Sequence, residues 1–131
     1  MRRETLNDLE LPVEAINLRE KLARIDALWS PRIVGQVNDT HVKLARIRGE
    51  FEWHHHENED ELFLVISGRL LLQFRDREVW LEEGEMLVVP RGVEHRPVAP
   101  DECHILMVEP AGTLNTGNVV SDRTVASPEW I

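Results

Sequence analysis

Basic residues are scarce in this chain: 15 lysines and arginines stand against 24 acids, a formal charge of −9. Nothing gathers them into a stripe, which argues against nucleic acid or an anionic membrane as the main partner. Cysteine is scarcer still. Cys103 stands alone, so no disulfide can close within the chain, and a reducing compartment is the expected setting. Long apolar runs are missing too, since LFLVI and MLVV fall far short of the ~20 residues that cross a bilayer. The opening MRRETLNDLELPVEAINL has charge at its start but no apolar stretch behind it. No secretory leader is therefore expected, and the chain reads as cytoplasmic. There is no long-period repeat, no low-complexity tract and no Gly-rich phosphate loop, which counts against a phosphosugar substrate.

What is present fits one globular domain: 131 residues, 42% of them apolar and 30% charged. Residues 1–32 read as an N-terminal arm, polar through residue 16, and a short helix. Asn17 offers an N-cap with Glu20 three residues on, and Leu18, Leu22 and Ile25 follow at helical spacing. That pattern predicts a helix over 18–28, closed before Pro31. From residue 33 to 110 the texture changes to short runs of Val, Ile, Leu and Phe between turn signals. Strands are predicted near 33–37, 41–47, 61–67, 70–74, 79–81, 86–89 and 103–108, with SGR, RDRE, EEGE, PRGVEH and VAPDE as punctuation. Many short strands with Gly and Pro turns predict an all-β sandwich or barrel. Residues 111–131 form a C-terminal tail.

One stretch stands apart in chemistry. FEWHHHENEDELF, residues 51–63, places three consecutive histidines among acids. Along an extended chain His54 and His56 share a face while His55 and Trp53 point the other way. Glu61 opens the next strand, with Phe63 and Val65 on its face. If that face is interior, it receives two imidazoles, a carboxylate and apolar walls. A buried carboxylate demands a cation or strong hydrogen bonds, and a divalent metal would satisfy all three groups together. His95, in PRGVEH, is a fourth possible donor. Glu57, Asn58, Glu59 and Asp60 read as the solvated turn between strands.

Two spacings then coincide. His54, His56, Glu61 and Gly68 fall in the pattern HxHx4Ex6G, and Gly84, Pro90, Gly92 and His95 in Gx5PxGx2H. These resemble the two signature motifs of the cupin superfamily, in its small single-domain members, across residues 42–110. Gly49 stands one residue nearer His54 than the usual first-motif glycine, and Ala99 stands where the second motif often has Asn. The resemblance implies a double-stranded β-helix (jelly-roll) barrel. It further implies one divalent transition metal (Fe, Mn, Zn or Ni) held by His54, His56, Glu61 and His95, with open positions for water or substrate. The WHHHENEDELFLVISG stretch also looks like small cupins often described as mannose-6-phosphate-isomerase-like.

The fold hosts many functions. The expectation is a metal-dependent enzyme on a small polar metabolite, of isomerase, lyase or dioxygenase type; the alternative is a non-catalytic ligand-binding or metal-binding module. Phe63 and Val65 would form an apolar wall against the substrate, and Arg46 or Arg48 could hold an anionic one, Arg48 being taken as a substrate-binding candidate. Of Cys103 and His104 one could face the cavity, and parity leaves open which. His41 reads as an ordinary core or surface residue. Strands apolar on both faces need an outer cover as well, which the arm, the helix and the PEWI tail, or a homodimer, would supply.

Overall fold

A computed structural model describes residues 13–131; the first twelve residues of the expected arm lie outside the described part. Helix α1 (Leu18–Ala23) opens as predicted. Asn17 is extended, and its side-chain oxygen accepts from the Glu20 N–H at 3.0 Å, filling one of the donors a helix start leaves open. The helix stops sooner than the apolar spacing implied. Its last turn tightens as the Arg24 and Ile25 N–H groups reach the carbonyls of Lys21 and Leu22, and the Arg46 guanidinium binds the Ile25 carbonyl. Tertiary bonding thus overrides local spacing, and the chain turns at Trp29, whose φ is 59°.

Seven strands follow: β1 (Arg32–Val37), β2 (Thr40–Glu50), β3 (Glu61–Ser67), β4 (Leu70–Phe74), β5 (Glu78–Leu81), β6 (Met86–Val89) and β7 (His95–Pro110). All of their pairings are antiparallel, in the order β1-β2-β7-β3-β6, with β4 joining β7 to β5. The architecture is the all-β jelly-roll barrel that the sequence led us to expect. β7 departs from expectation, because VAPDE is strand rather than turn. Two neighbours claim that segment: Val98 pairs with Leu71 of β4 on one side and with Glu50 of β2 on the other. Pro97 has no N–H to give, yet its carbonyl accepts from the Phe51 N–H at 3.0 Å. Farther along, β7 exchanges β4 for β3, pairing Val65 with Ile105 and Phe63 with Met107. One long strand therefore serves both halves of the roll.

Alternation along the strands builds the interior. Ala45 and Ile47 of β2, Phe63 and Val65 of β3, Leu70, Leu72 and Phe74 of β4, and Cys103, Ile105 and Met107 of β7 are all buried in one cluster. A second cluster lies on the outer face. There Leu22 and Ile25 pack on Val34 and Leu44, with Ile131 against them. The chain end is held in place by the Ile131 N–H bonding the Ile33 carbonyl at 3.0 Å. Helix and PEWI tail thus cover part of the sheet's outer face from within the chain.

The β3–β4 turn brings backbone against backbone. Gly68 has φ +89°, and a Cβ there would sit 2.9 Å from the Glu102 carbonyl oxygen. Gly68→Ala is expected to destabilise the fold by ~2 kcal/mol, read as a lower urea midpoint at unchanged m-value.

Candidate metal centre

The first motif follows β2 as an irregular extended segment, and the second opens β7. A two-bond bridge joins them: the His54 N–H donates to the His95 carbonyl at 3.0 Å and the His95 N–H returns a bond to the His54 carbonyl at 2.9 Å. Residues facing each other this way present side chains to the same side. The Gly92 N–H adds a bond to the His56 carbonyl at 2.7 Å, and the Asp60 carboxylate accepts from the Arg91 N–H at 2.8 Å. The turn after β6 is thereby tied to the first motif along its length.

Ring orientation is fixed next. His54 Nδ1 lies 2.9 Å from the Glu52 carbonyl, and His95 Nδ1 lies 2.9 Å from the Val93 carbonyl. A carbonyl oxygen can only accept, so each Nδ1 carries the proton and each Nε2 offers a lone pair to the interior. Burial, with His95 nearby, lowers the His54 pKa to about 4, so this ring is neutral at neutral pH.

One ligand atom from each of His54, His56, Glu61 and His95 falls within 4.8 Å of the others, and all four residues are buried. His56 Nε2, His95 Nε2 and Glu61 Oε1 have no hydrogen-bond partner. The carboxylate oxygen approaches the two rings at 3.3 and 3.5 Å, but without hydrogen-bond alignment. Buried polar atoms left this way are costly, and one cation placed among them would satisfy all of them. Three imidazole nitrogens and one carboxylate oxygen form a donor set suited to a divalent transition metal. The residues fit the group.

Beside these donors lies a cavity with room of about 40 Å³. At ~10–15 Å³ for each water-sized centre, it takes about three such groups. Trp29, Phe51, Phe63, Ile105 and Met107 give it apolar walls, while His54, Glu61, Glu109 and Asn115 supply polarity. Trp29 stacks on Phe51 with ring centroids 4.7 Å apart, and its Nε1 donates to the Arg48 carbonyl at 2.9 Å. Sequence reasoning passed over Glu109 and Lys43. Both are buried, 2% and 1% exposed, and Lys43 Nζ meets Glu109 Oε2 at 2.6 Å. Their signal was parity: Lys43 shares a strand face with Ala45 and Ile47, and Glu109 with Met107. Burial, with the Glu61 carboxylate alongside, pushes the Glu109 carboxyl well above the usual carboxylate range, against the pull of Lys43. Burial works to raise the Glu61 carboxyl, but the neighbouring Glu109 and the two histidines hold it well below that range.

The remaining sequence candidates separate. Phe63 lines the cavity, and Val65 sits deeper in the core. Arg48 is exposed and does not line the cavity. Arg46 pairs with Glu102 at 2.9 Å on the outer face. Cys103 is the inward member of its pair, with a thiol pKa pushed up to about 12 by burial, whereas His104 faces outward against Glu102 at 2.7 Å. Trp53 lies away from the donors, beneath the Arg75 guanidinium at 3.8 Å.

Fold and site together define a small β-barrel protein that presents three histidines and a glutamate to its own interior. Residues 41–109 match the Cupin_2 family, described as a cupin domain, and the chain belongs to that family. It is 45% identical to the uncharacterized protein YdbB of Bacillus subtilis (strain 168) over 64 residues, 48% of this chain and 57% of that one. The chain therefore spans little more than half the length of that curated relative. Among solved structures, it resembles a cupin-2 domain containing protein from Shewanella frigidimarina NCIMB 400, at 45% identity and TM-score 0.72. That match covers 72% of this chain and 93% of the other. Protein NMB1881 from Neisseria meningitidis, at 32% identity and TM-score 0.68, is matched over 75% of this chain and 100% of its own.

Removing one member of a buried charge pair strands the other, whereas removing both leaves an apolar interior. Lys43→Met is expected to destabilise the protein by ~3 kcal/mol, and Lys43→Met with Glu109→Leu to recover most of that loss. Urea unfolding of the two variants checks it; a double variant at least as unstable as the single one refutes the account.

Proposed function

We propose that this protein is a metal-dependent cupin acting on a small polar metabolite by isomerase, lyase or dioxygenase chemistry. The observation that carries this reading is the set of inward, unpartnered donor atoms of His56, Glu61 and His95, converging with His54 beside an accessible cavity. A divalent transition metal bound there supplies a Lewis acid for a carbonyl, hydroxyl or enolate oxygen. The chain's own residues do the rest. Phe63, Ile105 and Met107 exclude water from the bound ligand, and Glu109, on the cavity wall, is placed to exchange a proton with that ligand. Arg48 would have to swing inward to reach a substrate in the cavity.

The motif's likeness to mannose-6-phosphate-isomerase-like cupins supports an isomerase as the finer reading, on a substrate whose buried end is a few heavy atoms. The limited room favours a second reading, a non-catalytic module that holds a small ligand or the metal alone. Iron with oxygen uptake selects a dioxygenase, and zinc or manganese without redox chemistry leaves isomerase or lyase action.

A homodimer belongs to the same proposal. Leu62 pairs with Val88 and Leu64 with Met86 on the outer face of β3 and β6, where Met86 and Val88 are 53% and 47% exposed. This apolar strip continues the face that helix and tail leave uncovered, and a second copy would bury it.

Elemental analysis of protein purified without a metal-affinity tag is expected to find close to one transition metal per chain. The His54→Ala, His56→Ala, His95→Ala variant should hold none. A wild-type protein that stays metal-free after reconstitution rejects the metal-dependent reading. Sedimentation at micromolar concentration should give about twice the 15.2 kDa chain mass, shifted to monomer by Val88→Lys; monomer throughout counts against the dimer.

A further inference from the structure

The tail that leaves β7 does not simply trail away. After Pro110 it turns back and runs along the edge of the first motif, on the side opposite the His54–His95 bridge. In an extended chain, backbone hydrogen-bonding groups of successive residues point to alternate sides. His54 and His56 accordingly bond toward His95 and Gly92, which leaves the N–H and carbonyl of His55 facing away. Asn118 takes both. Its N–H donates to the His55 carbonyl at 3.0 Å, and its side-chain Oδ1 accepts from the His55 N–H at 2.8 Å. The residue between two candidate ligands is therefore bonded through its whole backbone to the tail.

Gly117 makes this approach possible. Its φ is +58°, and a Cβ there would lie 2.2 Å from the His55 carbonyl oxygen and 3.0 Å from His54 Cδ2. The tail backbone thus rests against the ring of one candidate ligand and the peptide beside it. A second hold lies just upstream. Ser121 Oγ and Arg123 both bind the Glu52 carboxylate, the latter at 3.1 Å, and the Glu52 carbonyl is the group that orients His54. The tail is internally braced where it does this: buried Thr116 bonds Thr124, hydroxyl to hydroxyl, at 2.7 Å, and the Asn115 side chain bonds the backbone of both Arg123 and Val125 at 2.8 Å.

We infer that the tail segment 115–125 is a working part of the candidate metal centre, with Gly117 and Asn118 as positioning residues that hold His54 and His56 at ligating separation. The inference rests on the reading that the four donors bind a metal. Without the clamp, the His55 peptide loses both of its backbone hydrogen bonds, and metal binding must itself order it. Outer partners that orient ligands typically change metal affinity by ~10–100-fold, and this clamp acts in that way through the backbone.

The test uses the full chain and Co(II) as probe, titrated against a competing chelator, with the visible spectrum of the bound ion recorded. Asn118→Asp keeps an acceptor oxygen for the His55 N–H and should bind Co(II) within about threefold of wild type, with an unchanged spectrum. Asn118→Leu removes that acceptor and Gly117→Ala obstructs the approach; each should weaken Co(II) by roughly tenfold or more and alter the spectrum. Ile131→Ala, which loosens the tail where it packs on the outer cluster, should lower the melting temperature without changing the spectrum of the bound ion. If wild type binds Co(II) and both Asn118→Leu and Gly117→Ala bind it equally well with the same spectrum, the tail has no positioning role. If wild type does not bind Co(II) at all, the metal reading itself fails.

Discussion

The bridge between His54 and His95 holds two distant stretches of chain in one register, and the geometry of the interior follows from it. Both backbone bonds of the pair are made, so neither residue can slide without breaking two bonds at once. Because facing residues present side chains to one side, the bridge sets two imidazoles against each other, with ring centroids 4.4 Å apart. His95 is also the first residue of β7, the strand shared by both halves of the roll. A shift of one residue at the bridge would turn His54 outward and His55 inward, and would misplace every inward residue of β7 relative to β2.

An interior built this way is apolar almost throughout, and its few polar groups follow a pattern. The donors of His56, Glu61 and His95 are unsatisfied, and Lys43 and Glu109 form a buried ion pair beside Glu61. A domain of this size would be more stable with apolar side chains at those positions. The polar groups are all on the wall of one cavity or next to it, so the destabilisation is concentrated where a ligand can offset it. The rest of the barrel, with its Leu, Ile and Val layers and its helix-covered outer face, supplies the stability that makes such a wall tolerable.

Sequence legibility followed the range of the interactions involved. The strands from β1 to β6 were readable because alternation and turn residues act over a few positions. The inward face of His54, His56 and Glu61 was readable for the same reason, as was the separation of Trp53 and His55 from that face. Length misled at both ends of the barrel. The helical spacing through Ile25 suggested a longer helix, but Arg46, on a different element, takes the Ile25 carbonyl. VAPDE carries a proline, with a second just before it, and read as a turn, but β2 and β4 together hold it extended.

The sequence by itself determined the all-β class, the alternation that turns particular histidines and acids inward, and the two spacings that mark the family. Only the tertiary structure decided that Cys103 rather than His104 faces inward, that Arg48 stays outside, and that Lys43 and Glu109 meet beside Glu61. It also decided that the tail clamps the peptide of His55. Local pattern fixes which side a residue points to, because that depends on the geometry of its own backbone. Which residue it meets there depends on pairings between distant strands, and those are set when the whole barrel closes.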